Sequence, residues 1–448
     1  MKDLSNGSIV NHILFMAAPI AFGMLTQIAY QLVDVYFVTK IGLVATAGVS
    51  VAGNVSIIVI GLTQVLGVGT AALVSHAVGR KDQEDANLTF NQSMMLSIVF
   101  GALTMTLAYV LIRPYLRSIA TDAATIEAGV TFIYWVLPGF SLMFPWTVIG
   151  SALRGTGIVQ PTIAIYMLSV VVNTVLAPIL IAGWGTGVAL GVKGAGLATS
   201  ISIAIGAICL GLYFNRVERY VAVKPELMRP QLEQWRRILR VGLPAGAEFA
   251  LSFLSVAVVY YVIRNFGASA QAGFGIGSRM LEIIVLPGIA IALAVGPIAG
   301  QNLGARKSER VRETFRKAAL IGTTVMIMIT VLLQWWPKTL VGMFNADASA
   351  TSAAALFLQL RSWSFVAQCL VNTCSNMFQG LGNTVPSLIS SGARFFAFSI
   401  PAVWLSVQPH FRIEQVWYLL NASVMLQATI SLWLLHMEFK RRLPLVAG

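Results

Sequence analysis

Charge is what this sequence has least of. Only 10% of its 448 residues are Asp, Glu, Lys or Arg, against about 25% in an ordinary soluble domain, and the acids number just 17. A soluble fold of this length would lack the polar residues to cover itself, so the missing surface must face lipid. Cysteine is scarce as well. Cys209, Cys369 and Cys374 sit in apolar stretches, an odd number at no metal-ligand spacing, and support no disulfide framework. No Gly-Lys dipeptide occurs, which excludes a Walker A loop and an ATP-driven pump on this chain. HExxH, GxSxG and paired-Cys motifs are absent too, so no catalytic constellation and no metal centre speak for an enzyme.

What is present is apolar: 57% of residues are hydrophobic and the mean hydropathy is +0.79. The apolar runs reach about 20 residues or more, the length of a spanning helix, and do not show the roughly 10-residue alternation of a membrane barrel. Helices are required because lipid offers no partner to a backbone polar group. The runs predict twelve spans, near 13–38, 47–76, 90–112, 126–152, 161–182, 194–214, 238–263, 272–300, 316–336, 351–378, 386–407 and 415–437. The net charge of +13 would suit nucleic acid, but its distribution argues for topology. With the N-terminus inside, 20 of the 30 Lys and Arg fall in inside segments and 7 outside, while Arg279, Arg361 and Arg394 lie within spans. That asymmetry predicts a multi-pass protein of the bacterial inner membrane with both termini cytoplasmic. No nucleic-acid partner and no obligate protein partner is expected. The first apolar run is too long for a signal-peptide core and is read as a retained helix.

The chain repeats itself at an offset of 225 residues. Pro19 meets Pro244, Gly42 meets Gly267, Ala47-Gly48 meets Ala272-Gly273, Gly79 meets Gly304, and Gly155, Gly157 and Pro161 meet Gly380, Gly382 and Pro386. Glycine and proline set backbone shape, so their recurrence marks a repeated fold and more than repeated hydrophobicity. The expected architecture is an all-α membrane protein of twelve transmembrane helices in two pseudo-symmetric six-helix lobes: residues 1–214, a cytoplasmic interlobe linker at 215–237, and residues 238–448. Six spans per lobe is an even number, so the repeat is parallel, related by an axis along the membrane normal. Such a pair suits alternating access.

Three acids fall within spans: Asp34, Glu248 and Glu282. An intramembrane carboxylate is costly unless paired or hydrated, which makes each a functional candidate. Gln27, Tyr30 and Asp34 are spaced to share one helix face, as are Tyr166, Ser169 and Asn173 in span five. The Asn173 amide could ligate a cation or meet Asp34; the alternative is glue between helices. Glu248 lies about ten residues into span seven, near the midplane, with Ser252 and Ser255 on the same face, and suits a cavity that accepts cations. Gln368, Asn372, Ser375 and Gln379 form an uncharged polar stripe in span ten that reads as cavity lining. Glu282 follows Arg279 by three residues, and the two are expected to neutralise each other.

These residues resemble the multidrug and toxic compound extrusion (MATE) family over the whole chain. The likeness is carried by Pro19, Val33-Asp34, Gly42, Ala47-Gly48, Gly79-Arg80-Lys81 and Arg154-Gly155-Thr156-Gly157. Asn173 with Pro178, the run Gly194 to Thr199 and the run Gly300 to Ala305 complete it. The resemblance implies secondary antiport of H⁺ or Na⁺ against organic compounds, through outward- and inward-facing V-shaped states. In one branch of the family the N-lobe cation site uses the residues that match Gln27, Tyr30, Asp34, Asn173 and Thr199, with Na⁺ as a possible ion at Asp34 and Asn173. That branch has a second Asp where this chain has Ala177. In another branch the C-lobe site uses acids where this chain has Ser252 and Gln368. What the resemblance then implies is coupling at Asp34, to H⁺ before Na⁺; the polar positions of the second half, Glu248, Ser252, Gln368 and Asn372, are read from their own placement as the substrate cavity.

The expectation is an exporter of amphipathic, cationic organic compounds, surrounded by membrane lipid and needing no cofactor beyond the coupling ion. The rival within transport is a flippase for a lipid-linked precursor, whose cavity would need more Arg and Lys to hold pyrophosphate. The rival from another class is a membrane-embedded enzyme or receptor.

Overall fold

The structure, a computed structural model, describes residues 2–120, 122–218, 220–336 and 348–443, with the side chains of residues 30–35 and 348–350 outside the description. Among the described residues every regular element is helical. The first half holds α1 (Ile9–Thr39), α2 (Leu43–Gly79), α3 (Gln83–Ile119), α4 (Ala123–Gly155), α5 (Gln160–Ala182) and α6 (Val192–Val217). The second holds α7 (Leu232–Ile263), α8 (Ala268–Gly304), α9 (Ser308–Trp335), α10 (Ala348–Ser362), α11 (Phe365–Gly380), α12 (Val385–Ser406) and α13 (Ile413–Arg442). Eleven described helices are long and apolar enough to cross a membrane, and α10 with α11 forms a bent pair that brings the number to twelve when counted as one span.

The repeat is written into the backbone. After α2, the N–H groups of Arg80, Lys81 and Asp82 donate to the carbonyls of His76, Val78 and Ala77 at 3.0, 3.0 and 2.9 Å. After α8, the N–H groups of Ala305, Arg306 and Lys307 donate to Gln301, Leu303 and Asn302 at 2.9, 3.0 and 2.9 Å. Each turn puts a basic residue in the left-handed region, Lys81 at φ 61° and Arg306 at φ 58°. Gly157 and Gly382 recur in the same way, at φ 82° and 71°, one residue past the caps of α4 and α11. At the ends of those helices Gly155 and Gly380 allow close approach. A Cβ on Gly155 would stand 3.1 Å from the Ala71 carbonyl, and one on Gly380 would stand 2.5 Å from that of Gly296. Every one of these pairs is 225 residues apart.

The chain divides into two compact units, Met1–Asp3 with Phe22–Gly242, and Leu4–Ala21 with Leu243–Gly448. Helices α1 and α7 thus each belong partly to both, and change unit within a turn of Pro19 and Pro244. In the second unit the N-terminal segment is held by the end of α8. The Leu4 N–H donates to Gln301 Oε1 (2.9 Å), Asn302 Nδ2 donates to the Leu4 carbonyl (3.2 Å) and Lys307 Nζ donates to that of Ser5 (2.8 Å).

In the first unit the polar stretch after α6 is fastened to α3 by three amides. Asn87 accepts from the Ala222 N–H (2.8 Å) and donates to the Tyr220 carbonyl (3.2 Å). Asn91 accepts from Lys224 (2.8 Å) and donates to Ala222 (2.9 Å). Gln92 accepts from Gln231 (3.0 Å) and donates to Leu227 (2.6 Å) and Arg229 (2.7 Å). Three side chains thereby satisfy the backbone of an irregular segment that no strand pairs with among the described residues.

The structure corrects one element of the sequence reading. Residues 351–378 are expected as one continuous span, yet the helix breaks at Trp363–Ser364 and α10 meets α11 at 63°. No Gly or Pro marks the place. The break persists because distant side chains satisfy the carbonyls it frees. Asn421 Nδ2 donates to Leu360 (2.7 Å), Gln334 Nε2 to Gln359 (2.9 Å) and Thr330 Oγ1 to Ser362 (3.0 Å). The buried Arg361 donates to Ser364 Oγ (2.8 Å) and Asn421 Oδ1 (2.7 Å). In the first half the matching stretch, around Pro138, stays within one helix.

Candidate functional site

In the first half, α5 and α6 come close because Gly194 leaves room for the Leu180 carbonyl. Ser169 Oγ, on α5, donates to the Ser202 carbonyl on α6 at 2.7 Å. One turn on, Asn173 is fully buried, and neither its Oδ1 nor its Nδ2 has a hydrogen-bond partner among the described residues. A buried amide left unmatched costs about 1–3 kcal/mol. Beside it on α5, Ala177 is equally buried. Thr199 on α6 is buried and its hydroxyl donates to the Ala195 carbonyl at 3.1 Å. Gln27 on α1 is exposed, and Gly23, one turn before it, lies against Ile163 of α5. The Tyr30 and Asp34 side chains fall outside the described residues.

In the second half, polar faces of four helices converge. Helix α7 offers Glu248, Ser252 and Ser255, α11 offers Gln368 and Asn372, α12 offers Ser391 and Arg394, and α13 offers Gln427, around a cavity of about 60 Å³. Glu248, Ser252, Gln368 and Asn372, singled out from sequence, are therefore brought together. The carboxylate of Glu248 accepts from Ser387 Oγ (2.7 Å to Oε2), from Ser375 Oγ (3.1 Å to each oxygen) and from Ser391 Oγ (3.4 Å to Oε1). A relay continues from there. Gln427 Nε2 donates to Ser391 Oγ (3.0 Å), Arg394 Nη1 donates to Gln427 Oε1 (3.2 Å) and Gln368 Oε1 (3.4 Å), and Gln368 Nε2 donates to Asn372 Oδ1 (3.1 Å). The network joins a carboxylate to a guanidinium through uncharged side chains, in a space large enough for several waters or one charged end group.

Sequence reasoning missed Ser387, Ser391 and Gln427. Ser387, Ser391 and Arg394 follow at i, i+4 and i+7 on α12, a polar stripe of the same kind as that on α11. Arg279 and Glu282 are both exposed, and the Arg279 charge acts on Glu282 through space without a close ion pair among the described residues.

A MatE family model matches the chain twice, over residues 19–179 and 244–405. The chain belongs to the MatE family. The two matches begin at Pro19 and Pro244, the offset read from the glycines and prolines. Among curated MatE relatives, the "Probable multidrug resistance protein YpnP" of Bacillus subtilis (strain 168) is 26% identical over 416 residues, covering 90% of this chain and 91% of its own length. The "FAD transporter" of Shewanella oneidensis is 21% identical over 408 residues, covering 90% and 89%. Among solved structures, a MOP superfamily transporter from Pyrococcus furiosus Vc1 (DSM3638) superposes with a TM-score of 0.90 at 23% identity, covering 98% of this chain and 97% of that one. A MATE protein solved in a straight conformation gives 0.89 at 23% identity, covering 98% of each chain. As a MatE protein the chain is a multi-pass membrane transporter and not an enzyme.

Proposed function

We propose that this MatE protein is a secondary antiporter of the bacterial inner membrane that exports amphipathic, cationic organic compounds in exchange for H⁺, with Na⁺ as the alternative ion. Two six-helix lobes, residues 1–214 and 238–448 about a linker at 215–237, would alternate access, with both termini in the cytoplasm. Relatives named for multidrug resistance support export of organic molecules, and one named as an FAD transporter supports an organic substrate. Coupling is assigned to Asp34, with Gln27, Tyr30, Asn173 and Thr199 around it. The observation that carries this assignment is Asn173: its buried amide lacks a partner among the described residues, as a group does whose partner arrives with the ion. The other half supplies the substrate cavity, at Glu248, Ser252, Gln368 and Asn372.

The test is transport of a fluorescent amphipath by purified protein in vesicles under an imposed pH or Na⁺ gradient. Substrate movement driven by the pH gradient, and abolished by a protonophore, is the expected result. Movement that follows only a Na⁺ gradient would reassign the ion, and no response to either gradient would overturn antiport.

A further inference from the structure

The cavity in the second half is unevenly charged. Glu248 has its oxygens occupied by three serine hydroxyls. Arg394 reaches it only through Gln427 and Ser391, and spends a single nitrogen, Nη1, on two long bonds to amide oxygens. A guanidinium carries five N–H donors. Those on Nε and Nη2 of Arg394 have no acceptor among the described residues, although the side chain lines the cavity. Arg361, buried and within Coulombic reach of Arg394, is likewise bonded to neutral oxygens alone. Arg394 is thus the guanidinium that lines the cavity with Glu248, a second positive charge lies within reach behind it, and neither arginine forms an ion pair among the described residues. A cation held within a membrane span without a counter-charge is costly, and neutral oxygens recover only part of that cost.

We infer that this cavity takes a carboxylate of the transported compound at the free edge of Arg394, so that its preferred substrates are zwitterions bearing both a carboxylate and an amine. The unfilled Nε and Nη2 donors match the two oxygens of a carboxylate in the forked geometry that makes such pairs strong. An amine on the same molecule faces Glu248 across the cavity. At about 60 Å³ the space admits the charged end of a compound and not the whole of a drug-sized one, so charge pattern and not bulk would be read there. The inference rests on the export reading given above and names the substrate class for the same cavity.

Two dyes separate the possibilities. Rhodamine 19 carries a free carboxylate, and rhodamine 6G is its ethyl ester, with the same fluorophore and amines but a net positive charge. Binding of each to purified full-length protein is measured by fluorescence polarisation, with thermal melting as the check on folding. The wild-type protein should bind rhodamine 19 more tightly than rhodamine 6G. Arg394→Gln should weaken rhodamine 19 by about tenfold or more while moving rhodamine 6G by less than about twofold, and Arg394→Lys should restore part of the difference. The wild-type comparison needs no variant, so a misfolded Arg394→Gln leaves the test standing. Equal affinity of the wild type for the two dyes, binding of neither, or equal loss of both in Arg394→Gln would each overturn the inference. Transport distinguishes this failure from failure of the export reading. Rhodamine 6G moved by the pH gradient with no preference for rhodamine 19 removes the zwitterion site and keeps the exporter. Arg394-dependent binding of rhodamine 19 with no gradient-driven movement of either dye does the reverse.

Discussion

The two halves share a backbone and differ in how they treat buried polarity. Their α2 and α8 turns bond the same atoms at distances that agree within 0.1 Å, down to a basic residue in the left-handed region of each. Inside the helices the likeness ends. In the first half α4 passes Pro138 and Pro145 as one helix, and the buried amide of Asn173 has no partner among the described residues. In the second half the counterpart of α4 breaks where Pro138 is matched by Trp363, and three distant side chains fill the gap. A repeated fold thus fixes where helices turn, because turns depend on a few glycines and local bonds. It leaves the interior free to diverge, and there one half has become a connected polar network and the other holds an unmatched group. A connected network holds its groups in fixed positions, and any donor it leaves over is aimed for recognition. An unmatched buried group changes its energy most when an ion or proton arrives, which suits coupling.

The largest expected effect divides the halves by task. Asp34→Asn should lower gradient-driven transport about a hundredfold while substrate binding stays within about twofold, since coupling free energies of 1–3 kcal/mol correspond to factors of that order. Glu248→Gln should do the opposite: weaker binding of amine-bearing compounds, with gradient-driven movement of neutral ones retained. Vesicle transport beside dye binding reads both, and near-wild-type transport by Asp34→Asn would erase the division. Next in size is the broken span. Asn421→Leu removes the acceptor for Arg361 and the donor to the Leu360 carbonyl together. An uncompensated buried charge should then lower stability by about 3 kcal/mol, seen as a fall in melting temperature in detergent. Pro138→Ala, at the matching level of the first half, should change it by less than about 1 kcal/mol, because there one uncharged side chain, Ser200, bridges the helix, accepting from the Gly139 N–H and donating to the Trp135 carbonyl. Similar losses from both changes would mean that the break is not held by those side chains.

What could be foreseen follows the same division. The spans and the 225-residue offset were legible because hydrophobic runs and Gly-Pro positions report backbone directly. The break at Trp363–Ser364 was not, since Gln334, Thr330 and Asn421 hold it from other helices and nothing local announces it. The α3 amides give a second case. Asn87 and Asn91 sit at i and i+4 in an apolar helix, a readable stripe, but its partner is an irregular segment more than 130 residues away in sequence. In the cavity, the acid and the α11 stripe were readable by period. The α12 stripe that places Ser387, Ser391 and Arg394 opposite them was readable by the same rule, and only the pairing of the two stripes needed coordinates.

A smaller effect sharpens the contrast at Asn173. If its amide serves only packing, an apolar side chain of similar volume should be harmless to function. If it waits for a partner that comes with the ion, Asn173→Leu should raise melting stability by about 1 kcal/mol, by removing an unmatched buried group, and still lower gradient-driven transport by about tenfold. Lower stability with unchanged transport would show that the amide is structural. Ser375→Ala in the other half offers the converse. It removes one of three donors to Glu248 and should lower stability by about 1 kcal/mol, since the lost hydroxyl is one that the carboxylate already uses.

The smallest expected effect probes what the halves share. Lys81 and Arg306 hold the left-handed conformation, at φ 61° and 58°, which costs a side-chain-bearing residue about 1 kcal/mol. Glycine removes that strain but makes the unfolded chain freer by about the same amount. Asparagine tolerates the conformation without that freedom. Lys81→Asn and Arg306→Asn should therefore each stabilise by a few tenths of a kcal/mol, and the glycine variants should be close to neutral. The signs should agree between the halves because the three backbone bonds around each residue are the same. The measurement is melting of the four single variants in one detergent. Matched shifts at the two positions mean that the turns are equivalent in energy as well as in geometry. A gain at one and a loss at the other would show that divergence reaches the turns too, through the side chains Lys81 and Arg306 give up, and would confine the equivalence of the halves to the path of the backbone.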